Sequence, residues 1–349
     1  MTRKRDKRKG AAAFCMALWL LPVVLWAIVY LWRGVPSVLA WWLIQAYSLV
    51  AVLITAALLV IGAVKLLPRI LRSGKRGRGG PALQNGEADR NAGIEEGGAG
   101  EKRKREFRPP LRALLIAGAI AGAWPALWFA GVGQIAYPAD AAKTSPSVTV
   151  VSPFAKETIV GWGGDGLREN YHVAAPNERW AYDLLAAPAG MGSARLEDYG
   201  IYGASVFAPA AGTVVEAKDG EADHAPGESE PETLAGNHIY LRLDETGTYL
   251  VFAHLMRGSA AVEAGQHVEV GEPLGRVGNS GSSSEPHLHL HHQRQNPAET
   301  NLFLSEGLPL YFKSTSGAFM PSGGVEVQGG RDVPTGEKLA PQSGLFSAP

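Results

Sequence analysis

The sequence predicts an all-β domain, a small antiparallel sandwich or barrel, preceded by three transmembrane α-helices. Three observations carry this prediction. Long uncharged runs are confined to the first 137 residues. From about residue 147 to 313, short β-branched or alternating runs recur with turn residues between them, and no segment shows a long helical period. Charge is also divided: residues 1–137 hold 20 Lys+Arg and 7 Asp+Glu, and residues 138–349 hold 13 and 26. A net charge of zero therefore conceals two halves of opposite sign, which do different work in different surroundings.

The N-terminal half, 1–137, reads as a membrane anchor. A basic head, TRKRDKRK, is followed by an uncharged run over 11–32, long enough for a bilayer core. It is too long for a signal-peptide core, and no small-residue cleavage site follows it. A short turn at 33–36 leads into a second uncharged run over 37–64. Residues 73–110 are Gly-rich and charged, a composition that cannot bury a core, so this segment is expected to be a disordered cytoplasmic loop. Its closing tract, Lys102-Arg103-Lys104-Arg105, reads as an anchor beside anionic lipid and not as a nucleic-acid site. The third run covers 113–137, with Pro125 as a kink. All three basic tracts should be cytoplasmic, which places everything after Tyr137 outside. The one cysteine, Cys15, lies in an apolar run, so neither an intrachain disulfide nor a cysteine metal site is available.

In the second half the expected strands are Ser147–Val151, Ser205–Phe207, Gly212–Ala217, His238–Leu243, Tyr249–His254, His267–Val270, Pro273–Val277 and His287–His291. They place the domain at 145–313, and the Gly/Ser/Pro-rich segment 314–349 reads as a flexible tail. Two further runs, 171–174 and 179–183, look like strands joined by a turn at Pro176-Asn177. Such a hairpin would bring His172 and Asp183 together at its open end.

The chemistry concentrates in the last strand. All nine histidines lie between His172 and His292, and four fall in HLHLHH at 287–292. With period 2, His287, His289 and His291 share one face and Leu288 and Leu290 the other. Packing alone does not account for such a strand, and imidazole is a common zinc ligand. Two histidines and an aspartate, with a fourth position open, make the donor set of a hydrolytic metal site.

From Tyr171 to His292 the chain resembles the lysostaphin-type (LytM-like) zinc metallopeptidases. The resemblance rests on HVAAPNERWAYD at 172–183, FAPAAGTVVEA at 207–217, GNHIYLRL at 236–243, YLVFAHL at 249–255, VEAGQHVEVGEPLGRVGNSG at 262–281 and PHLHL at 286–290. An HxH alone is weak, but an HxH after this Gly-rich run is specific. The resemblance implies that His172, Asp183 and His289 bind Zn2+ and that His254 and His287 are catalytic. Its implied substrate is the peptide of peptidoglycan. The family's commoner first-His-to-Asp spacing is much shorter than the eleven residues here; this chain is similar to a subgroup with an HxxxPNxRxAYD element. Asp165 and Asp198 are the alternative carboxylates.

Three functions follow as expectations. The first is a membrane-anchored zinc endopeptidase acting on the cell wall. The second is an inactive wall-binding module that regulates another hydrolase, and the third is a protease of secreted peptides. For the remaining residues, His238 and His267 are expected to face solvent, and His224 to be solvated in an acidic loop at 216–232. That loop reads as an insertion near the cleft and not as a calcium site. His291 lies on the metal face as support for a ligand. Asn279 and Ser280 shape a turn, and Trp180 and Tyr182 belong to the core.

Overall fold

In the computed structural model, residues 2–76, 111–228, 231–342 and 344–345 are described. The chain divides into two compact units, one of residues 1–24 and 44–132 and the other of 25–43 and 133–349.

The first unit is helical. Three α-helices, α1 (Thr2–Leu31), α2 (Val35–Arg76) and α3 (Leu111–Ala123), supply its elements, with α1 and α2 each running on into the second unit. Gly122 lies where a Cβ would strike the Tyr47 ring, so the missing side chain lets α3 and α2 approach. Three membrane spans were expected. Among the described residues one helix, Val35–Val64 within α2, is long and apolar enough to cross a membrane. The apolar stretch described in α1 is only Leu20–Leu31. At the third run, α3 is 13 residues, about 20 Å of rise against a hydrocarbon core of about 30 Å. The chain then tightens into a 3-10 turn, Trp124–Ala130, because Pro125 has no N–H to continue the α-helical ladder. The expected loop over 73–110 lies almost wholly outside the described residues.

The second unit is mostly β. Its strands are β1 (Val148–Val150), β2 (Thr158–Trp162), β3 (Tyr182–Leu185), β4 (Ser205–Phe207), β5 (Gly212–Lys218), β6 (Asn237–Leu243), β7 (Tyr249–Leu255) and β8 (His267–Val268). There follow β9 (Pro273–Arg276), β10 (Leu288–Gln293), β11 (Gly307–Leu308), β12 (Leu310–Ser314), β13 (Gly317–Phe319), β14 (Val325–Gln328), β15 (Arg331–Pro334) and β16 (Lys338–Leu339). The main sheet is antiparallel in the order β16-β2-β3-β10-β7-β6-β5-β8, so the histidine strand β10 is central. Its even-numbered leucines do what the alternation demands. Leu288 and Leu290 are fully buried with Leu184, Tyr182, Phe252, Leu250 and Phe312 in one apolar core. Trp180 is buried as well.

Three expectations fail here. Residues 171–174 and 176–178 are 3-10 turns instead of a hairpin, and only Tyr182–Leu185 is a strand. The side chain of Asn170 accepts from His172 N–H and Pro176 opens the second turn, so local capping wins over extended backbone. The tail expected to be flexible instead carries β13 to β16. Leu339 is buried, and β16 adds to the edge strand β2, which satisfies backbone groups that a sheet edge would leave bare. Earlier in the tail, VEVQ and RDVP pair with each other as the β14–β15 hairpin. His238, expected at the surface, is buried between the Gly236 carbonyl and Glu216 at a bulge in the β6–β7 pairing.

Residues 25–43 pack with the β elements of this unit. Trp41 is fully buried, and its indole N–H donates to the Ala174 carbonyl at 3.0 Å. Tyr137 donates its hydroxyl to the buried Ser37 Oγ at 2.7 Å.

Because Leu290 fills the core directly behind the metal-facing side of β10, Leu290→Ala is expected to cost about 2–5 kcal/mol of stability. Denaturant unfolding of the full chain in detergent measures this; a loss near zero would contradict the packing described.

Candidate metal centre

The sheet register assembles the site. Asp183 on β3 and Ala253 on β7 are both cross-strand partners of His289 on β10. Asp183 and His289 are therefore neighbours on one sheet face, and Asp183 Oδ1 lies 3.0 Å from His289 Nδ1. His287, two residues before His289, shares that face, with its Nε2 3.5 Å from the same oxygen. His172 arrives from the 3-10 turn, its Nε2 also 3.5 Å from Asp183 Oδ1.

His254 follows Ala253, so regular pleating would turn it to the opposite face. Its backbone instead takes φ 63°, the one non-glycine with positive φ among the described residues, beside the bulge between β6 and β7. This left-handed residue re-aims the side chain into the cluster, 4.8 Å between ring centroids from His287. The five residues singled out from the sequence are thus brought together. Asp165 and Asp198 are engaged elsewhere, by Arg179 and Trp180 and by Ser193.

Fixed acceptors set the proton on the outer nitrogen of three of these histidines. Asn170 uses its Nδ2–H to bond Gly164 and Ala181 carbonyls, so its Oδ1 accepts from His172 Nδ1–H at 2.9 Å. His254 Nδ1–H donates to the Ser280 carbonyl and His287 Nδ1–H to the Glu285 carbonyl. The inner Nε2 of each is left with a lone pair, and for His172 and His287 that lone pair faces Asp183 Oδ1. The other carboxylate oxygen accepts from Tyr171 Oη at 3.1 Å. Lone pairs facing a carboxylate oxygen repel one another unless a cation sits between them. Donor atoms around a tetrahedral zinc lie about 3.4 Å apart, from zinc–ligand distances of about 2.1 Å. The 3.0–3.5 Å separations here match that spacing. His172, Asp183 and His289 fit a metal site on geometry and donor chemistry alike.

Burial pushes the His172 imidazole down to about 4 and His254 well below its usual value, so both are neutral near pH 7. Burial also lowers His289, but its hydrogen bond to Asp183 and the charge of that carboxylate raise it overall. Burial pushes the Asp183 carboxyl up, and positive charge on the surrounding imidazoles more than offsets it, holding the group ionised. Without metal, the compensating charge is a proton on His289.

Two concavities meet at the cluster. Trp162, Asp183, Glu285 and His287 line one, with Val325 and Asp332 of the C-terminal hairpin. His172, Glu178, His254, His289 and His291 line the other. Tyr171 and Ser282 border both. The acidic loop does reach this cleft through Gly227 and Glu228, but Glu221 within it is buried and hydrogen-bonded to Thr233. Asn279 and Ser280 are fully buried and pin their turn to Asp223, His224 and Leu255. His267 is exposed, as expected. Sequence reasoning missed Asn170 and Tyr171, although an Asn two residues before a histidine is a capping signal.

Residues 198–301 match the model of peptidase family M23. The chain carries a peptidase family M23 domain. Solved structures similar to it include a candidate M23 peptidase from Pseudomonas aeruginosa, at 19% identity over 46% of this chain and 54% of that one, TM-score 0.26. Another is the catalytic domain of the antimicrobial peptidase lysostaphin from Staphylococcus simulans, at 20% identity over 43% and 86%, TM-score 0.27. A third is a zinc-containing peptidase from Vibrio cholerae, at 20% identity over 42% and 36%, TM-score 0.28. The alignment thus spans about half of the first of these proteins. The M23 match begins after His172 and Asp183, which the fold of this chain brings to His254, His287 and His289.

A metal held at this centre would take the place of a proton on His289 Nδ1. Zinc binding at about pH 6, below the raised His289 value, is therefore expected to release about one proton from this histidine, and apparent affinity is expected to fall as pH falls. Calorimetric titration in two buffers of different ionisation heat reads the release directly; identical heats in both would refute the assignment.

Proposed function

We propose that this chain is a membrane-anchored zinc metalloendopeptidase that hydrolyses peptide bonds of peptidoglycan. The observation that carries the reading is the convergence of His172 Nε2, His289 Nδ1 and His287 Nε2 on one oxygen of Asp183, with His254 alongside. His172, Asp183 and His289 would hold Zn2+. A zinc ion there supplies Lewis acidity, polarising a scissile carbonyl and making a water a better nucleophile near neutral pH.

The remaining chemistry belongs to His254 and His287. Each has its Nδ1–H committed to a backbone carbonyl, so only Nε2 exchanges protons. A neutral Nε2 accepts the proton of an attacking water, and the resulting imidazolium donates to the developing oxyanion or the departing amine. The carbonyl partners hold ring orientation through this cycle. The two concavities on either side of the cluster suit an extended peptide crossing it.

Anchoring is assigned to α2. Its N-terminal end, residues 35–43, packs with the β unit, and its other end carries Lys65, Arg69 and Arg72. The positive-inside rule places that basic end in the cytoplasm and the opposite end, with the M23 domain, outside, where cell wall is found; the return crossing is assigned to the apolar stretch 111–130. All five residues that an active site requires are present and assembled, so nothing at these positions favours an inactive wall-binding module.

Zinc content and muropeptide cleavage, measured on the same full-length samples, test the reading. Asp183→Ala and His289→Ala are expected to lose both. His254→Ala and His287→Ala are expected to keep zinc and lose about 10²- to 10⁴-fold in cleavage rate. Wild-type protein that binds zinc but cuts no wall peptide would eliminate the enzyme reading.

A further inference from the structure

Three of the histidines in the cluster have outer partners whose roles are unambiguous, a backbone carbonyl or an anchored amide. His289 differs, because its outer nitrogen, Nε2, faces a fifth histidine, His291 Nδ1, at 2.9 Å. Either imidazole could in principle be the donor. The answer lies further along the strand. His291 Nε2 is 3.0 Å from Gln293 Oε1, and Gln293 Nε2 donates to the Gln295 carbonyl at 2.7 Å. That last bond leaves the amide no choice of orientation, since a carbonyl accepts only from the NH2 end. Gln293 therefore presents oxygen to His291, His291 carries its proton on Nε2, and its Nδ1 is an acceptor. His289 must then donate from Nε2 and keep Nδ1 for the metal centre.

We propose that His291 and Gln293 form a hydrogen-bond relay that fixes the proton of His289 on Nε2, making His291 a positioning residue for the metal ligand. The inference rests on the reading of the centre as a zinc site. His287, His289, His291 and Gln293 sit at every second position of β10, so one pleated face supplies a catalytic group, a ligand and two groups behind the ligand. His291 and Gln293 are both buried. The same arrangement holds whether Nδ1 carries a proton or a metal, so the relay does not have to rearrange on loading. Outer partners of this kind raise the basicity of a ligand and fix its ring orientation.

A rival use of the same residues is a second cation site, because Glu178, His289 and His291 also place donor atoms near one another. The relay argues against it. Both nitrogens that such a cation would need are already paired with each other, and a second ion would require His289 to lose its remaining proton.

The test uses the full chain in detergent, stripped of metal, with zinc affinity read by competition against a chromophoric chelator. His291→Leu keeps the bulk and removes the acceptor; His291→Asn returns an oxygen close to the position of Nδ1. The expected result is about a 10- to 100-fold loss of zinc affinity in His291→Leu, with most of it restored in His291→Asn. Gln293→Leu, which touches no ligand, is expected to weaken zinc in the same direction. Cobalt(II) substituted for zinc should give wild-type and His291→Asn the same visible spectrum and His291→Leu a different one. Equal losses in the Leu and Asn variants would mean that only the imidazole's shape matters, and the relay would be wrong. Wild-type affinity in all three variants would also overturn it while leaving the zinc reading intact. A second equivalent of zinc in wild type that vanishes with His291 would make His291 a ligand and the relay untenable. Wild type that binds no zinc at all would remove the proposed function and this inference together.

Discussion

The buried carboxylate of Asp183 sets the conditions for everything around it. An ionised carboxylate out of water is costly unless it is paired and hydrogen-bonded. Tyr171 satisfies one oxygen, and the other is surrounded by imidazole nitrogens. Neutral imidazoles in this arrangement do not stabilise the charge, because the second layer of partners turns their lone pairs inward. Burial keeps His172 and His254 neutral, while Asp183 raises His289, so His289 or an ion can supply the compensating charge. The centre is thus built around a need for a cation, and the hydrolytic chemistry assigned to it is one consequence of that need.

The sheet supplies the rigidity this arrangement requires. Asp183 and His289 face each other across a central strand pair, with Leu288 and Leu290 locked in the core on the reverse side. A one-residue slip of β10 would bury histidines in the core and expose leucines to the cleft, so the apolar packing specifies the register that the metal face needs. The positive φ at His254, found at no other non-glycine among the described residues, occurs where a fifth residue joins the same face. Strain at that position is held by backbone hydrogen bonds of His254 N–H to the Ala235 carbonyl and of Gly278 N–H to the His254 carbonyl.

Features that depend on local pattern were legible in the sequence. The alternation in HLHLHH gave both faces of β10, and the β-branched runs placed β4 to β9 within a few residues. Features that depend on distant neighbours were not. VEVQ and RDVP look like a loose tail but pair with each other as the β14–β15 hairpin, and β16 finds its partner only in the distant edge strand β2. His238 sits where strand period points outward, and a bulge turns it into the protein. Residues 171–174, with Tyr171 and Val173, read as strand, but Asn170 caps them into a 3-10 turn and Pro176 opens a second one. Gln293 was on the same period-2 register as the histidines, and glutamine carries no metal-ligand signal of its own.

The boundary at residue 137, drawn where the uncharged runs stop, does not coincide with a boundary in packing. Trp41 belongs to the apolar run of α2, yet it is fully buried in the unit that holds the β-sheet, and its indole N–H bonds the carbonyl of Ala174. Ala174 closes the same 3-10 turn that carries His172. Removing a buried tryptophan typically costs about 3–5 kcal/mol, and here the loss would also leave a carbonyl of the ligand-bearing turn without its donor. Tyr137 and Ser37 make a second such link a few residues away. The start of α2 is therefore part of the scaffold of the metal centre. A chain cut at residue 138 would lose residues 25–43 from this unit, and with them the donor to the turn that carries His172.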